Sequence, residues 1–398
     1  MSKVLLKSKN TLINGLKLSC IAFLATFPVV VNANYQINFF TPIINTIVVP
    51  IFSIIVYPFT IFTFIFHQFE FLYNYIIESF EQLVIILENN LNGIIIFGKV
   101  NTMFITIYFI TLIFFLISVE SKRNIIISGV IFTLSLSLAY FDKDISSYGR
   151  VVYLDVGQGD STLIDLPNRK GTILIDTGGV VGFNKYLTIN TKYSIAKSKT
   201  IPYLKSIGVT KINYLILTHG DYDHLGEATN LIDNFKIDNI YINCNAINNL
   251  EKMIIDKFPA SKAKSFIIGN HHFQVRSCEN NNDENDSSVV LTTKLFDKDF
   301  YFGGDISKSF EDDFEFNIDF LKVSHHGSKT STSELFIKNV RPEYAFISCG
   351  KNNFYSHPNK QIIDILDKYS VRTYRTDNEG TIEIIFSNQQ YLINVYPH

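Results

Sequence analysis

The sequence predicts two unlike parts: an α-helical membrane segment over residues 1–146, then an α/β domain over residues 147–398 arranged as an αββα sandwich. Three observations predict this. Composition shifts near Phe141, with long apolar runs and sparse charge before it and the mixture of an ordinary soluble domain after it. Short strand-like runs then recur, and several of them end in Asp or His. Leu215 to Gly226, finally, is an apolar run that empties into His219, Asp221, Asp223 and His224 before Leu-Gly-Glu-Ala opens a helix. Imidazoles and carboxylates delivered by a buried strand into a loop are how an α/β scaffold presents a metal site. The net charge of −2 averages two dissimilar halves and excludes nothing. Cys20, Cys244, Cys278 and Cys349 form no CxxC pair, which argues against a zinc knuckle or a disulfide framework.

In chain order, Leu16 to Val31 is the first apolar run, preceded by Lys3, Lys7 and Lys9. A signal peptide is the rival reading, with Val-Asn-Ala-Asn as its cleavage site, but further apolar segments follow at once. Ile43 to Phe66 is long enough to cross a bilayer, and Pro50 and Pro58 inside it predict broken helices or a re-entrant hairpin. Phe69 to Leu91 carries Glu70, Glu78, Glu81 and Glu88 among apolar residues, so it reads as an interfacial helix, a cavity-lining helix or a surface helix over the membrane core. Met103 to Val119 and Ile125 to Phe141 are the cleanest spans, near the lower end of the roughly 17–25 residues a crossing needs. Lys122 and Arg123 between them place that loop in the cytoplasm, which sends everything after Asp142 to the outer side.

In the second part, Arg150 to Leu166 alternates like two strands joined by a turn at Gly157 and Gly159, and Gly171 to Ile175 is a strand ending at Asp176. The strand at Leu215 follows. Val289 to Leu291 begins another. Phe300 to Phe302 ends at Asp305, Phe320 to Val323 at His325 and His326, and Tyr344 to Ile347 runs toward Cys349 and His357. One strand ending in histidine is unremarkable; several ending in Asp or His predict convergence on one rim.

His219-x-Asp221-x-Asp223-His224 resembles the metallo-β-lactamase superfamily signature, with Asp221 where a second histidine usually stands. Together with Asp155-Val-Gly-Gln-Gly-Asp160, Asn285-Asp-x-Ser-Val-Val-Leu291, Gly303-Gly-Asp305, Lys322-Val-x-His-His-Gly-Ser328 and His357-Pro358, it resembles the C-terminal domain of the ComEC family, bacterial competence proteins that take up DNA. The motif set spans about residues 148–398. Ala25-Thr-Phe-Pro28 and Phe39 to Pro50 are similar, more weakly, to the later part of the family's membrane competence domain. Room is lacking for the family's amino-terminal soluble domain and first channel helices, so a truncated form, half of a split protein and a decayed copy are the readings. In the split case a separate polypeptide supplying those helices, alongside other competence proteins, is an expected partner.

The resemblance implies a metallo-β-lactamase-like αββα hydrolase with two divalent ions. His219 and Asp221 would hold one ion, Asp223 and His224 the other, with Asp305 bridging and His326 completing the second position. His325 would lie beside the substrate or act as an alternative ligand, and Asp286 or a water would stand in for the family's third histidine. Asp223, His325 and His357 carry the catalytic expectation, and Asp160 and Asp176 orient ligands from behind. Ser356 stands where the family usually has glycine before His357. Ions about 3.5–4 Å apart can clamp the attacking and leaving oxygens of a phosphodiester. An oxygen-rich site shifts the expected metal from zinc alone toward manganese, with magnesium admissible.

Lys185, Lys192, Lys197 and Lys199 fall in a stretch without Asp or Glu and interleaved with tyrosines, which suits contact with single-stranded DNA. The expected protein is a bacterial inner (plasma) membrane, multi-pass nuclease in contact with membrane lipid, its hydrolase domain extracytoplasmic, degrading the strand that is not imported. Hydrolysis of cell-envelope phosphodiesters and a non-catalytic DNA-binding channel subunit are the alternatives.

Overall fold

The computed structural model describes residues 10–141, 148–179, 193–243, 247–277, 283–387 and 390–398. The chain divides into two compact units, Met1–Lys143 with Lys205–Gly208, and Asp144–Leu204 with Val209–His398.

The first unit is helical: Thr11–Asn34, Thr41–Ile65, Glu70–Asn90, Thr102–Ser121 and Ile125–Phe141. Thr11–Asn34, Thr41–Ile65 and Thr102–Ser121 are long and apolar enough to cross a membrane, and Ile125–Phe141 is a shorter apolar helix of 17 residues. Asn10 and Asn101 start their helices by accepting the amides of Leu12 and Met103. A two-stranded antiparallel ribbon, β1 (Gln36–Asn38) and β2 (Ile94–Ile96), ties the loops together. The expected break at Pro50 and Pro58 is not a hairpin. One helical run passes both prolines, and its hydrogen bonding widens to a π-helical turn over Phe52–Val56 between them. Each proline removes an amide donor, and the wider turn reroutes the carbonyls around the gap. No residue of Glu70–Asn90 is buried, and its four glutamates are all exposed.

Inside this unit Phe27 stacks on Tyr108 with ring centroids 5.3 Å apart, and the Tyr108 hydroxyl donates to the Leu24 carbonyl at 2.6 Å. Val31, Leu112 and Phe132 complete the cluster.

The second unit is a sandwich of two mixed sheets. Strands β3 (Gly149–Tyr153), β4 (Thr162–Asp165), β5 (Thr172–Ile175), β6 (Lys211–Ile216), β7 (Lys236–Ile242) and β8 (Ala260–Lys262) build most of the first sheet. Strands β9 (Phe266–Ile268), β10 (His271–Ser277), β11 (Val289–Leu295), β12 (Lys298–Phe302), β13 (Phe320–Lys322), β14 (Tyr344–Ile347) and β15 (Arg372–Arg375) build the second. The chain then returns to the first sheet with β16 (Thr381–Ser387) and β17 (Gln390–Tyr396), giving the order β17-β16-β3-β4-β5-β6-β7-β8.

Strand alternation puts every second residue between the sheets. Val151, Ile164, Ile173 and Ile384 of the first sheet meet Phe273, Leu291, Phe300 and Phe320 of the second in one buried core. The opposite face of the second sheet, with Tyr301, Leu321 and Ala345, packs under the helices Glu334–Val340 and Lys360–Lys368 through Phe336, Ile337, Ile362 and Leu366.

Topology positions the chemistry. β5 and β6 run parallel in the first sheet, and β12, β13 and β14 run parallel in the second. Their carboxyl ends lead to Asp176, His219, Asp305, His325–His326 and the loop to His357, so residues far apart in sequence reach one rim.

Candidate metal centre

Asp305 is the hub. Its Oδ2 lies 3.3 Å from His224 Nε2, 3.6 Å from His326 Nε2, 3.8 Å from His325 Nε2 and 3.9 Å from His219 Nε2. Asp223 Oδ2 is 3.3 Å from His326 Nε2, and Asp221 Oδ2 is 3.7 Å from His219 Nε2. His219, His224, Asp305 and His326 are all buried, whereas the Asp221 side chain is half exposed. Asp160, His224, Asp305 and His326 offer ligand atoms within 4.8 Å of one another. His219, His224, His326 and Asp305 thus stand together, with Asp221 beside His219 and Asp223 beside His326.

Local backbone geometry makes this convergence. Gly159, at φ +138°, lies so close to Asp223 that a Cβ would collide with its backbone, and the Asp160 amide donates to the Asp223 carbonyl at 3.1 Å. That contact sets the turn after β3 against the loop after β6. His325 (φ +50°), His326 (φ +54°) and Gly327 are three successive left-handed residues. Two consecutive histidines there cost strain that the surroundings must hold. The Ser331 hydroxyl donates to the Ser324 carbonyl at 2.8 Å, and Glu311 takes the Ser324 hydroxyl at 2.6 Å and the Thr332 amide. Burial pushes the Glu311 carboxyl up to about 7.

Second-layer contacts fix which ring nitrogen faces inward. His224 Nδ1 is 2.8 Å from Asp176 Oδ2 and His326 Nδ1 is 2.9 Å from the Ser348 carbonyl, so both turn Nε2 toward Asp305. This is the arrangement by which a carboxylate or carbonyl holds a metal-binding imidazole in one tautomer. Asp176 itself accepts the Thr218 amide at 2.8 Å and the Thr218 hydroxyl at 2.7 Å, and that hydroxyl also touches His219 Nδ1 at 3.1 Å. Asp160 faces the Nδ1 edge of His326 at 3.4 Å and forms a buried ion pair with Lys322 at 2.7 Å. Its approach from the far side of the ring suits orientation more than ligation. Ser348, Thr218 and Lys322 were not among the expected site residues. Lys322 stands inside the Lys-Val-x-His-His motif, and that position was the one signal available in the sequence.

Electrostatics match a cation site. Burial alone would lower the imidazolium form of His326, yet Asp305 and Asp160 hold its pKa up to about 10. His224, although fully buried, is likewise raised well above the ordinary range by Asp305 and Asp176. Burial would raise Asp305, but His224 and His326 hold its carboxyl far below the usual range. Surplus carboxylate is thus balanced by protonated imidazoles. A bound divalent ion would displace those protons. His219 Nε2 and Asp305 Oδ1 are buried without any hydrogen-bond partner among the described residues, a costly state that a metal ligand does not suffer. The donor set fits a divalent ion.

His325 is a quarter exposed, and burial lowers its pKa. His357 lies with its ring centroid 5.9 Å from that of His325, and burial, with His326 and His325 nearby, pushes it down to about 4. Both are neutral donors or acceptors beside the cluster at pH 7. Ser356 adopts φ +56°, the left-handed conformation that explains a preference for glycine there. Asp286 is occupied as acceptor of the Ser307 amide at 2.8 Å. Among the lysines expected to face DNA, Lys185 and Lys192 lie outside the described residues. Lys199 pairs with Asp155 at 2.6 Å, and Lys197 is exposed on the turn Ala196–Thr200, whose end residues are buried.

Residues 1–122 match the family model described as Competence protein, and residues 154–244 match that of the metallo-beta-lactamase superfamily. The chain is 32% identical over 311 residues to ComE operon protein 3 of Bacillus subtilis, covering 73% of this chain and 40% of that protein. It is 32% identical to Recombination protein 2 of Haemophilus influenzae, covering 58% of this chain and 28% of the relative. Competence protein ComA of Neisseria gonorrhoeae is 28% identical, with 58% of this chain and 32% of that one covered. The chain therefore spans 40% or less of the length of these relatives.

Proposed function

We propose that this chain, which belongs to the ComEC family of competence proteins and joins a competence segment to a metallo-β-lactamase superfamily domain, is a membrane-anchored, metal-dependent phosphodiesterase that degrades single-stranded DNA during uptake. The observation that carries this reading is the convergence of four imidazoles on the Asp305 carboxylate, with Asp221 beside His219 and Asp223 beside His326, in a chain whose first part has helices long enough to span a bilayer. His219 and Asp221 would hold one divalent ion, manganese or zinc, and Asp223, His224 and His326 a second, with Asp305 shared between them. Ions bound there would supply Lewis acidity toward the phosphoryl oxygens of the substrate.

This chain's own residues do the rest. Asp176 and the Ser348 carbonyl keep Nε2 of His224 and His326 turned inward. His325 and His357, neutral near pH 7, are placed to hydrogen-bond a nonbridging or leaving oxygen. The half-exposed Asp221 marks the side open to solvent. The positive loop Lys122–Arg123 supports an inner-membrane orientation with this domain extracytoplasmic.

The test uses the full chain in detergent with manganese and single-stranded DNA. Asp223→Ala and His224→Ala should each abolish cleavage and lower the bound metal measured by elemental analysis. Asp176→Asn should cost about 10–100-fold in metal affinity through His224, and through Thr218 and the His219 it touches. Cleavage unchanged in both alanine variants would remove this mechanism.

A further inference from the structure

The loops that carry Asp305, His326 and His357 each run on, three residues later, to a lysine: Lys308, Lys329 and Lys360. All three are exposed and line one cavity of about 550 Å³, together with Ser331, Thr332 and Gln361. The cavity is stitched to the metal-ligand loops. The Lys308 amide donates to the Thr330 carbonyl at 2.9 Å, Thr330 Oγ1 lies 3.4 Å from His325 Nδ1, and the Asn359 amide donates to the Gly327 carbonyl at 2.8 Å. Two carboxylates, Glu334 and Asp364, also line it, but Glu334 is taken up by Lys368 at 2.6 Å. The ammonium groups of Lys308, Lys329 and Lys360 have no side-chain partner among the described residues. Four lysines against two carboxylates leave the cavity positive. Lys360 and Gln361 also open the helix Lys360–Lys368, whose N-terminal turn favours an anion.

On the same loop as His357 stand two aromatic rings. Phe354 is 82% and Tyr355 52% exposed. Tyr355 stacks on His357 at 5.8 Å and 12°, and Phe354 meets Tyr355 edge-on at 6.2 Å. Two adjacent exposed rings on the loop of His357 form a small apolar face on which a flat ring can stack.

The geometry points to a path for a single nucleic-acid strand across the site, with nucleobases stacked on Phe354 and Tyr355 and backbone phosphates held in the cavity of Lys308, Lys329 and Lys360. Phosphate-tracking cations beside stacking rings are how single strands are bound without sequence preference. A free phosphate or a base-less envelope polymer would use the lysines and leave the rings idle, so the pairing selects nucleic acid. The inference deepens the phosphodiesterase reading and rests on it for the position of the scissile bond.

The test measures binding rather than turnover. Full-length chain in detergent micelles, with calcium in place of manganese to suppress cleavage, is titrated against a labelled oligothymidylate and an abasic oligomer of equal length. The parent should prefer the base-carrying strand by about tenfold or more. Phe354→Ala/Tyr355→Ala should erase that preference with no change in salt dependence. Lys308→Gln/Lys329→Gln/Lys360→Gln should weaken both ligands and flatten the slope of log affinity against log salt by about 2, from about 0.7 per lost phosphate contact. The triple Lys→Arg variant should restore the slope, which separates charge loss from misfolding. Equal affinity for both ligands in the parent, or an unchanged salt slope in the glutamine variant, would overturn the path. Hydrolysis of a small chromogenic phosphodiester with manganese is scored separately. Its absence would sink the phosphodiesterase reading while leaving the binding result standing.

Discussion

The two units treat the same side chains in opposite ways. In the helical unit Phe64 and Ile126 are 80% and 82% exposed, while in the sandwich Phe300, Phe320 and Phe346 are buried to 1% or less. Polar groups invert as well. The helical unit buries hydroxyls such as Ser118 and Ser128 that bond carbonyls of their own helix. The sandwich buries charges in pairs, Arg150 with Glu383 and Lys322 with Asp160. The difference teaches what the solvent is for each. Burying an apolar side chain from water is worth about 25 cal/mol per Å². Between helices in lipid that term vanishes, and contact shape and hydrogen bonds decide instead. Burying a charge from water is costly, and each of these charges is matched by an opposite one within hydrogen-bond distance.

The largest effect should come from breaking the sandwich's charge economy. Arg150 Nη1 donates to Glu383 Oε1 at 2.9 Å, and Glu383 also accepts the hydroxyls of Tyr203 at 3.0 Å and Tyr396 at 2.6 Å. Arg150→Met leaves a buried carboxylate without its cation and should cost about 3–5 kcal/mol in urea unfolding followed by tyrosine fluorescence. Arg150→Met/Glu383→Gln should recover most of that loss. A double variant as unstable as the single one would show that Arg150 acts through packing.

Next in size is a substitution matched for exposure and unmatched for surroundings. Ile113, mid-way along Thr102–Ser121, is 56% exposed, and Met253 on the sandwich is 57% exposed. Ile113→Asp should cost about 2.5–3.5 kcal/mol of insertion, read as lost resistance to alkaline extraction from membranes. Met253→Asp should stay within about 0.5 kcal/mol in thermal stability. Equal effects at the two sites would break the comparison, because exposure in the first unit would then mean exposure to water.

Legibility in the sequence followed the same divide. Hydropathy located the helices Thr11–Asn34 and Thr102–Ser121 because a crossing is a matter of length and composition. It was silent on how Pro50 and Pro58 are absorbed, since the π-helical turn Phe52–Val56 is a hydrogen-bonding choice, not a compositional one. In the sandwich, alternation and strand-end Asp and His residues marked the centre, and the structure gathers His219, His224, Asp305 and His326 as those strand ends suggest. The Ser348 carbonyl behind His326 was illegible, because a backbone acceptor leaves no residue-type signature. Lysine density drew the DNA reading to residues 185–199, where Lys185 and Lys192 lie outside the described residues. Local clustering says nothing of a partner such as Asp155, 44 positions from Lys199, nor of lysines that three separate loops bring to one cavity.

The smallest predicted effect probes the helical unit from within. Thr111 Oγ1 and Ser135 Oγ lie 3.0 Å apart and join the last two helices. In hydrocarbon such a bond looks indispensable, since water cannot replace it. Yet each hydroxyl already has a partner at home: Thr111 bonds the Ile107 carbonyl at 2.9 Å, and Ser135 bonds the Phe132 carbonyl at 2.7 Å. Removing one side chain therefore strands nothing, and the interhelical bond is worth only its surplus over the bond that remains. A double-mutant cycle of Thr111→Val and Ser135→Ala should give a coupling near 0.6 kcal/mol in detergent-denaturation experiments. That is several-fold below the Arg150–Glu383 effect, where no home partner can take over a full charge. A coupling above about 2 kcal/mol would mean that the hydroxyl pair, like the ion pair, is held where nothing else can satisfy it, and the contrast between the units would narrow to apolar exposure alone.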